Sequence, residues 1–223
     1  GARCPMAQMI DPDALQHLIG KHPGAAVVSY VNSSYEIKAM SDVCCTSSNA
    51  VKIVGSLSNR DVIFVPDQHL ASYVAACLPE KNIIPFSGYC PPHHSVTGAD
   101  VILAREQMPE ALVLVHPECP SGVCEMADFV GSTEQIIQYA TKSSAREFVI
   151  GTEGGVLYPL RNKNPEKTFV LLSDQLYCPN MKKTMLADLE KSLEDGYPEV
   201  NLDGETAEKA AAALNRMLEV SYI

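Results

Sequence analysis

Short, continuously apolar runs alternate along the chain with segments whose apolar residues recur every three or four positions. The runs lack a polar residue at every second position, which is typical of strands in a parallel sheet covered on both faces. They predict strands at Ala26–Tyr30, Asp61–Val65, Asn82–Phe86, Leu112–Val115, Phe148–Ile150 and Lys167–Leu172. Strands and helices in alternation predict an α/β fold with helices layered on parallel sheets.

The segments between the strands predict helices. One opens at Asp11-Pro12, where an acidic N-cap precedes a proline in the first turn. The last, Thr206–Glu219, carries its apolar residues along one side. The others are predicted at Tyr35–Met40, Ser48–Ser56, Asp67–Cys77, Thr133–Lys142 and Met181–Glu194.

Two stretches of the chain share the spacing of four landmarks. Ser47 and Asp67 follow Tyr30 by 17 and 37 residues, and Thr133 and Glu153 follow His116 by the same intervals. Cys90 and Cys178 close the stretches, 60 and 62 residues after Tyr30 and His116 respectively. Internal repetition over so long a period predicts two duplicated domains rather than a small solenoid.

A third cysteine extends the pattern. Cys4, Cys90 and Cys178 are spaced 86 and 88 residues apart, so Cys4 is interpreted as the closing cysteine of a further unit. We therefore expect a truncated chain with three parts. Residues 1–25 are the end of a truncated first repeat and a linker helix, 26–110 a second α/β repeat, and 111–223 a third with the C-terminal helix.

The composition narrows the functional class. A net charge of −10 argues against a nucleic-acid surface and disfavours an anionic membrane. No apolar stretch reaches the roughly 18 residues that a spanning helix needs. Eight cysteines in 223 residues are fewer than a secreted disulfide scaffold carries, and they favour thiolate ligation in a reducing, cytoplasmic compartment.

Polar landmarks follow the predicted strands directly. Ligands of parallel sheets bind at the carboxyl ends of the strands. Each of the following segments and residues comes at such an end: Tyr30-Val31-Asn32, His116-Pro117-Glu118, Asp67, Glu153, Cys90 and Cys178. We therefore expect the two units to present their polar residues at equivalent sheet edges, which could face one another around a central site.

The three repeated cysteines suit a [4Fe–4S] cluster that leaves one iron without a protein ligand. Structural zinc normally takes four protein ligands, often in close Cys-x-x-Cys pairs. Three buried free cysteines remain the ordinary alternative. The other cysteines have no repeat partner and are interpreted as core or incidental thiols: Cys44, Cys45, Cys77, Cys119 and Cys124.

Other residues at these ends carry candidate chemistry. His116 and Glu118 could act together as general acid and base, or form an ordinary loop pair. Ser47 and Thr133 stand where helices begin, so they could bind an anion or simply cap the helix. For His93 and His94, which follow Cys90, a surface loop is the default interpretation, and a supporting role behind Cys90 is the alternative.

At these residues the chain resembles quinolinate synthase, the A protein of the bacterial and archaeal quinolinate route to NAD. The matching segments span essentially the whole chain and are highly specific as a set. They are Gly1-Ala2-Arg3-Cys4-Pro5-Met6-Ala7, Tyr30-Val31-Asn32-Ser33-Ser34, Cys45-Thr46-Ser47-Ser48-Asn49-Ala50-Val51, Val65-Pro66-Asp67, Gly88-Tyr89-Cys90-Pro91, His116-Pro117-Glu118-Cys119, Gly131-Ser132-Thr133, Gly151-Thr152-Glu153 and Cys178-Pro179-Asn180-Met181-Lys182.

The resemblance implies three α/β/α domains around a pseudo-threefold axis. It implies one [4Fe–4S] cluster on that axis, held by Cys4, Cys90 and Cys178. The implied reaction condenses iminoaspartate with dihydroxyacetone phosphate to quinolinate, with loss of phosphate and two waters. The open iron would act as a Lewis acid. An enzyme that oxidises L-aspartate is implied as the functional partner.

The resemblance also assigns roles to residues. The substrate-binding positions fall on Tyr30, Val31, Asn32, Ser47, His116, Pro117, Glu118 and Thr133. Glu118 would transfer protons, with His116 sharing or orienting that role and Tyr30 positioning the substrate. Further substrate-binding residues of the family's first domain are missing, so we expect the chain alone to be inactive or nearly so. A non-catalytic cluster-binding relic and a different open-iron dehydratase are the alternatives.

Overall fold

A computed structural model of the chain describes residues 2–196 and 198–222, so Gly1 of the first matching segment lies outside them. Within that part, eight strands form two four-stranded parallel sheets. The first sheet has the order β2-β1-β3-β4, and its strands are β1 (Ala26–Tyr30), β2 (Val43–Cys45), β3 (Asp61–Val65) and β4 (Asn82–Pro85). The second has the order β6-β5-β7-β8, and its strands are β5 (Leu112–Val115), β6 (Phe129–Val130), β7 (Glu147–Gly151) and β8 (Thr168–Leu171).

The two sheets also share their register. Ala26 of β1 pairs with Val62 of β3, and Leu112 of β5 pairs with Phe148 of β7. Both pairs join residues 36 positions apart, because 62 − 26 and 148 − 112 are equal. The predicted α/β class with parallel sheets is therefore confirmed, and the spacing of the landmarks corresponds to a structural equivalence of the sheets.

Helices connect consecutive strands, and further helices precede the first strand and follow the last. In the described residues they are α1 (Pro12–Lys21), α2 (Tyr35–Ala39), α3 (Ala50–Ser56), α4 (Gln68–Cys77), α5 (Pro91–His94), α6 (Gly98–Gln107), α7 (Ser121–Cys124), α8 (Thr133–Lys142), α9 (Leu157–Lys163), α10 (Leu186–Asp195) and α11 (Gly204–Tyr222). Short 3-10 turns lie at Met6–Gln8 and Gly154–Val156. None of the helices in residues 2–196 and 198–222 is long and apolar enough to cross a membrane.

Local sequence explains where several helices begin. The Asp11 carboxylate accepts a hydrogen bond from the Ala14 N–H at 2.8 Å, and Pro12 occupies the first helical position of α1. At α8 the Ser132 hydroxyl and the Gln135 side chain each accept the other residue's backbone N–H, which forms a capping box. The cap of α1 lies before the first strand, β1, and the cap of α8 lies after the carboxyl end of β6. Each cap fixes the direction of the chain where its helix begins.

Both faces of each sheet are covered, which accounts for the uninterrupted apolar runs. In the first sheet Val28 and Phe64 pack beneath α3 and α4, while the alternate residues Val27 and Ile63 pack beneath α1 and α2. In the second sheet, Val113 and Val149 face α6 and α7, and Leu114, Phe148 and Ile150 face α8 and α9. A strand buried on both sides cannot alternate polar and apolar residues.

The C-terminal helix α11 packs against α2, β2 and α3 of the first sheet, with Ala213 and Met217 buried in that core. In chain order it follows the second sheet, and it was grouped with residues 111–223 for that reason. Its apolar stripe predicts a buried face but carries no information about which sheet receives it. The boundaries of the three predicted parts remain a prediction.

Candidate active site

The carboxyl ends of the two sheets open on one cavity of about 920 Å³. Residues from both units and from the N-terminal segment line it. Among them are Cys4, Tyr30, Asn32, Cys90, His93, His116, Glu118, Thr133, Thr152, Glu153 and Cys178. Segments separated by more than 150 residues in sequence therefore meet at one site.

The three repeated cysteines all line this cavity, and each is half-buried. Cysteines in the described part of the chain are free thiols, without a disulfide. Burial raises the pKa of Cys4 and of Cys90, and the negative charge of Glu118 raises both further. Backbone N–H groups just after each of these two cysteines act in the opposite direction. Such thiols ionise readily only when a cation replaces the proton, which is the behaviour expected of metal ligands.

A proline follows each of these cysteines, in Cys4-Pro5, Cys90-Pro91 and Cys178-Pro179. Cys90 is the N-cap of α5, and Pro5 precedes the 3-10 turn at Met6–Gln8. Proline is favoured in a first helical turn, where its missing N–H removes no hydrogen bond. The threefold Cys-Pro pair is thus a further sequence signal for the equivalence of the three cysteines.

His93 lies at the centre of the polar network, which makes the default interpretation of a surface loop wrong for this residue. Its ring is buried, with Nδ1 3.0 Å from the Cys90 Sγ and 3.2 Å from the Glu118 Oε2. Its Nε2 lies 2.9 Å from the Thr152 Oγ1. Because an ionised carboxylate carries no proton, Nδ1 must donate to it, and Nε2 shares a hydrogen bond with the Thr152 hydroxyl. His94, by contrast, is exposed.

His116 follows the end of β5 and its ring stacks on the ring of His93, with centroids 4.6 Å apart. The backbone N–H of Glu118 donates to its Nδ1 at 3.2 Å, so the proton of the neutral ring resides on Nε2. Burial lowers the pKa of His116 to about 4, against the opposing effect of the Glu118 charge. His116 is therefore a neutral hydrogen-bond donor at neutral pH.

Glu118 is the most enclosed carboxylate that faces the three cysteines, with 3% of its surface exposed. Burial raises its pKa, but His116, His93 and Cys90 lower it more, so the net direction is downward. Its Oε2 faces the two imidazoles, whereas its Oε1 is buried without a hydrogen-bond partner among the residues that the structure describes. An ionised oxygen without a partner is costly, and it is available to a substrate or its proton.

Tyr30 stands at the end of β1, and its side chain lines the cavity. Burial raises the pKa of Tyr30, and the charges of Glu118 and Cys45 raise it further. The phenol is therefore protonated across the physiological range and can donate a hydrogen bond. Ser47 precedes α3 by three residues, and Asn49 occupies the N-cap position.

Some of the other candidate residues line the cavity, and the rest lie outside its lining. Asn32 and Thr133 line the cavity as exposed side chains, and Thr133 is the first residue of the ten-residue helix α8. Val31, Ser47 and Pro117 are not part of the lining formed by the described residues. Among the lining residues that were not predicted as site residues are His93 and Thr152. His93 follows Cys90 by three residues, one helical turn, whereas the sequence around Thr152 carries no signal of its contact with His93.

Cys90, His93 and Glu118 also bring their ligand atoms within 4.8 Å of one another, which is close enough to hold one metal ion. Sulfur, imidazole and carboxylate donors of this kind suit iron or zinc. The cavity therefore contains two overlapping donor sets, the three cysteines and this smaller group, with Cys90 in common.

Comparison with known families gives a match to a family model described as quinolinate synthetase A protein, over residues 1–219. The chain belongs to this family. A relative named quinolinate synthase from Alkaliphilus metalliredigens is 56% identical over 219 residues, which cover 98% of this chain and 72% of the relative. One from Caldicellulosiruptor saccharolyticus is 49% identical over 220 residues, covering 99% of this chain and 73% of the relative.

An archaeal relative, named quinolinate synthase 1, comes from Methanosarcina acetivorans. It is 49% identical over 217 residues, or 97% of this chain and 71% of the relative. The resemblance drawn from the motifs is confirmed, and the chain belongs to a family of enzymes whose members are named for quinolinate synthesis.

Proposed function

We propose that the chain carries the site of quinolinate synthesis, a transferase reaction that condenses iminoaspartate with dihydroxyacetone phosphate in NAD biosynthesis, and that the chain alone has little or no activity. Quinolinate would form with loss of phosphate and two waters, without net oxidation or reduction. The observation that carries the proposal is the juxtaposition of three free cysteines with a buried carboxylate whose Oε1 lacks a partner among the described residues. The relatives' names give the reaction class.

Cys4, Cys90 and Cys178 would hold a [4Fe–4S] cluster. Their chemistry fits that cofactor, since all three are free thiols that line one cavity. Burial raises the pKa of Cys4 and Cys90, and a bound cation would favour their ionised form. When bound, the cluster supplies Lewis-acid chemistry at the iron that lacks a cysteine. His93, whose Nδ1–H donates to the Glu118 Oε2, would lie beside that ligand sulfur, with Nδ1 3.0 Å from the Cys90 Sγ.

Glu118 would accept and return protons during the condensation and the two dehydrations. Its lowered pKa keeps it ionised at neutral pH, so it is a base in the resting site. His93 holds Oε2 with Nδ1 at 3.2 Å, which leaves Oε1 for the substrate. Because the carboxylate is buried, a proton transferred to it is not exchanged directly with bulk water.

His116 would orient the substrate by donating from Nε2. Its Nδ1 is already occupied by the Glu118 N–H, so the donor is fixed in one tautomer. Stacking on His93 holds the plane of the ring. A neutral donor of this kind can stabilise negative charge that develops on a carbonyl or carboxylate oxygen without itself losing a proton.

Tyr30, Asn32 and Thr133 would bind the polar groups of the two substrates. Tyr30 would donate from a protonated phenol, and Asn32 would offer an amide on the same cavity. Thr133 opens α8, whose N-terminal N–H groups favour an anion such as a phosphate or carboxylate. Iminoaspartate would come from a partner enzyme that removes two electrons from the amine of L-aspartate.

The test compares Glu118→Gln with Glu134→Gln, an exposed glutamate in the first turn of α8. Anaerobically reconstituted protein is assayed for quinolinate formation by chromatography and for quinolinate binding by calorimetry. We expect Glu118→Gln to lower the residual rate of quinolinate formation about 10²- to 10⁴-fold, because a general base is lost, and Glu134→Gln to leave both that rate and quinolinate binding unchanged. A cluster-loaded wild type that neither forms nor binds quinolinate contradicts the proposal.

A further inference from the structure

Each unit has an acidic residue directly after its third strand in sequence. Asp67 follows β3 by two residues, and Glu153 follows β7 by two residues. The Asp67 Oδ2 accepts a hydrogen bond from the backbone N–H of Cys90 at 3.0 Å. The Glu153 Oε1 accepts one from the backbone N–H of Cys178 at 3.4 Å. Two acids at equivalent positions thus bind the peptide groups of two equivalent cysteines.

The second oxygen of each acid is also used in the same way. The Asp67 Oδ1 accepts from the Leu70 N–H at 2.7 Å, and the Glu153 Oε2 accepts from the Gly155 N–H at 2.8 Å. In both cases this N–H belongs to the helical turn that follows the acid. Each carboxylate therefore ties the beginning of a helix to the loop that carries a cysteine.

A backbone hydrogen bond completes the arrangement in both units. The Gln68 N–H donates to the Gly88 carbonyl at 2.8 Å, and the Gly154 N–H donates to the Leu176 carbonyl at 2.8 Å. The donor follows the acid by one residue, and the acceptor precedes the cysteine by two residues. We call these three bonds, one from the backbone and two to the carboxylate, the acid clamp.

The clamps lie in the interior. Asp67 is completely buried and Glu153 is 9% exposed. Burying a carboxylate is costly unless its oxygens are satisfied, so side chains in this position are held by their hydrogen bonds rather than free to turn. Glu153 also pairs with Lys182 at 3.1 Å, four residues after Cys178, whereas Asp67 forms no ion pair with a lysine, arginine or histidine side chain of the described residues.

We propose that Asp67 and Glu153 are positioning residues that hold Cys90 and Cys178 in place for a shared iron–sulfur group. The inference rests on the proposed function, since it concerns the ligands of the proposed cluster. A cluster bound by three cysteines from distant segments requires each sulfur at a set position. Each clamp connects a cysteine loop to the rigid end of a strand. It does so by binding the backbone N–H of the cysteine itself.

The acid clamp can be removed and restored one unit at a time. Asp67→Ala and Glu153→Ala delete both carboxylate bonds, while Asp67→Asn retains one acceptor oxygen and tests rescue. Asp42→Ala is the matched control. The Asp42 Oδ2 accepts the Val27 N–H at 2.7 Å near the start of β1, so it resembles the clamp chemically but lies at the opposite end of the sheet.

The first readout is iron release from reconstituted protein to a chelator. A buried hydrogen bond to a charged acceptor is worth enough to change an equilibrium about tenfold. We therefore expect Asp67→Ala and Glu153→Ala to release iron about tenfold faster than wild type. Asp67→Asn, which keeps one of the two acceptor oxygens, should recover part of the difference, and Asp42→Ala should match wild type even if its unfolding midpoint falls.

The second readout uses cluster-free protein, and it separates this inference from the proposed function. Alkylation rates of individual cysteines are measured by mass spectrometry. We expect Asp67→Ala to accelerate alkylation of Cys90 without affecting Cys178, and Glu153→Ala to do the reverse. Equal alkylation rates in all variants would refute the positioning role of Asp67 and Glu153. A wild type that assembles no cluster would refute the proposed cofactor, and the alkylation pattern would still decide the positioning role.

Discussion

The hydrogen bond between His93 and Thr152 joins the two units and is open to a direct test. Thr152 follows β7, and 2% of its surface is exposed. Its Oγ1 lies 2.9 Å from the Nε2 of His93, a residue of α5 in the other unit. Thr152→Val replaces the hydroxyl by a methyl group of similar size, so the substitution removes the bond with little change in packing.

The expected cost follows from burial. With valine at position 152, the Nε2 of His93 loses its partner in a site where the ring is 6% exposed. A buried polar group left unsatisfied costs about 1–3 kcal/mol. For a urea m-value of about 2–3 kcal/mol per molar, the unfolding midpoint should fall by about 0.3–1.5 M.

The assay is urea unfolding of cluster-free protein, followed by circular dichroism. Thr168→Val is the control, because Thr168 is exposed on β8 and its loss should change stability by less than about 0.5 kcal/mol. A double-mutant cycle with His93→Leu isolates the pair, since Thr152→Val should cost little once the ring is absent. Equal effects of the two valine substitutions, or no coupling in the cycle, would refute the bond.

Two further predictions concern pH and backbone packing. The pKa of His116 is 6.5 in the unfolded chain and about 4 in the fold, so the unfolded state binds more protons between these values and stability is lost as the pH falls. His116→Gln should remove about 2 kcal/mol of the loss between pH 7 and pH 5 in urea unfolding, and an unchanged pH dependence would contradict the burial argument. Gly88→Ala would bring a Cβ to 2.6 Å from the Pro66 carbonyl oxygen, so its unfolding free energy should fall by about 1–3 kcal/mol. Gly122→Ala meets open space and should be neutral or stabilising, and equal effects of the two alanines would show that the close approach is not needed.

The sheets were predictable because burial on both faces leaves a direct mark on the sequence. The strands Ala26–Tyr30, Asp61–Val65 and Leu112–Val115 have the bounds that their apolar runs predict. The strands Val43–Cys45 and Phe129–Val130 were missed, because three and two residues are too few to establish a pattern. Their places in the sheets depend on pairing with a neighbouring strand rather than on local preference.

For the helices, too, local sequence patterns do not fully define the structure. The segment Met181–Glu194 was predicted as one helix, but the helix begins at Leu186 and the residues before it continue the cysteine loop. The amphipathic pattern of Gly204–Tyr222 predicts that one face is buried. It does not identify the surface that buries it, since any apolar surface of suitable shape satisfies the pattern.

The site was predictable where function is repeated in the sequence. Equal spacing and strand-end positions identified the cysteines, His116 and Glu118, which all line one cavity. The contact of His93 with Thr152 was not predictable, because it joins residues 59 positions apart through space. Asp67 and Glu153 were recognised as landmarks, but their bonds to the cysteine N–H groups depend on loop geometry that spacing alone does not define.

The central claim is that Cys4, Cys90 and Cys178 together hold one [4Fe–4S] cluster. The most direct test is anaerobic reconstitution, followed by iron and sulfide analysis of wild type and of three single Cys→Ser variants. Cys124→Ser is the control, since Cys124 is a half-buried thiol outside the cavity lining. We expect about four irons and four sulfides per chain in wild type and Cys124→Ser, and loss of the cluster in each of the other three. A single metal ion per chain that survives Cys4→Ser and Cys178→Ser would instead indicate a mononuclear site at Cys90, His93 and Glu118, and would contradict the account.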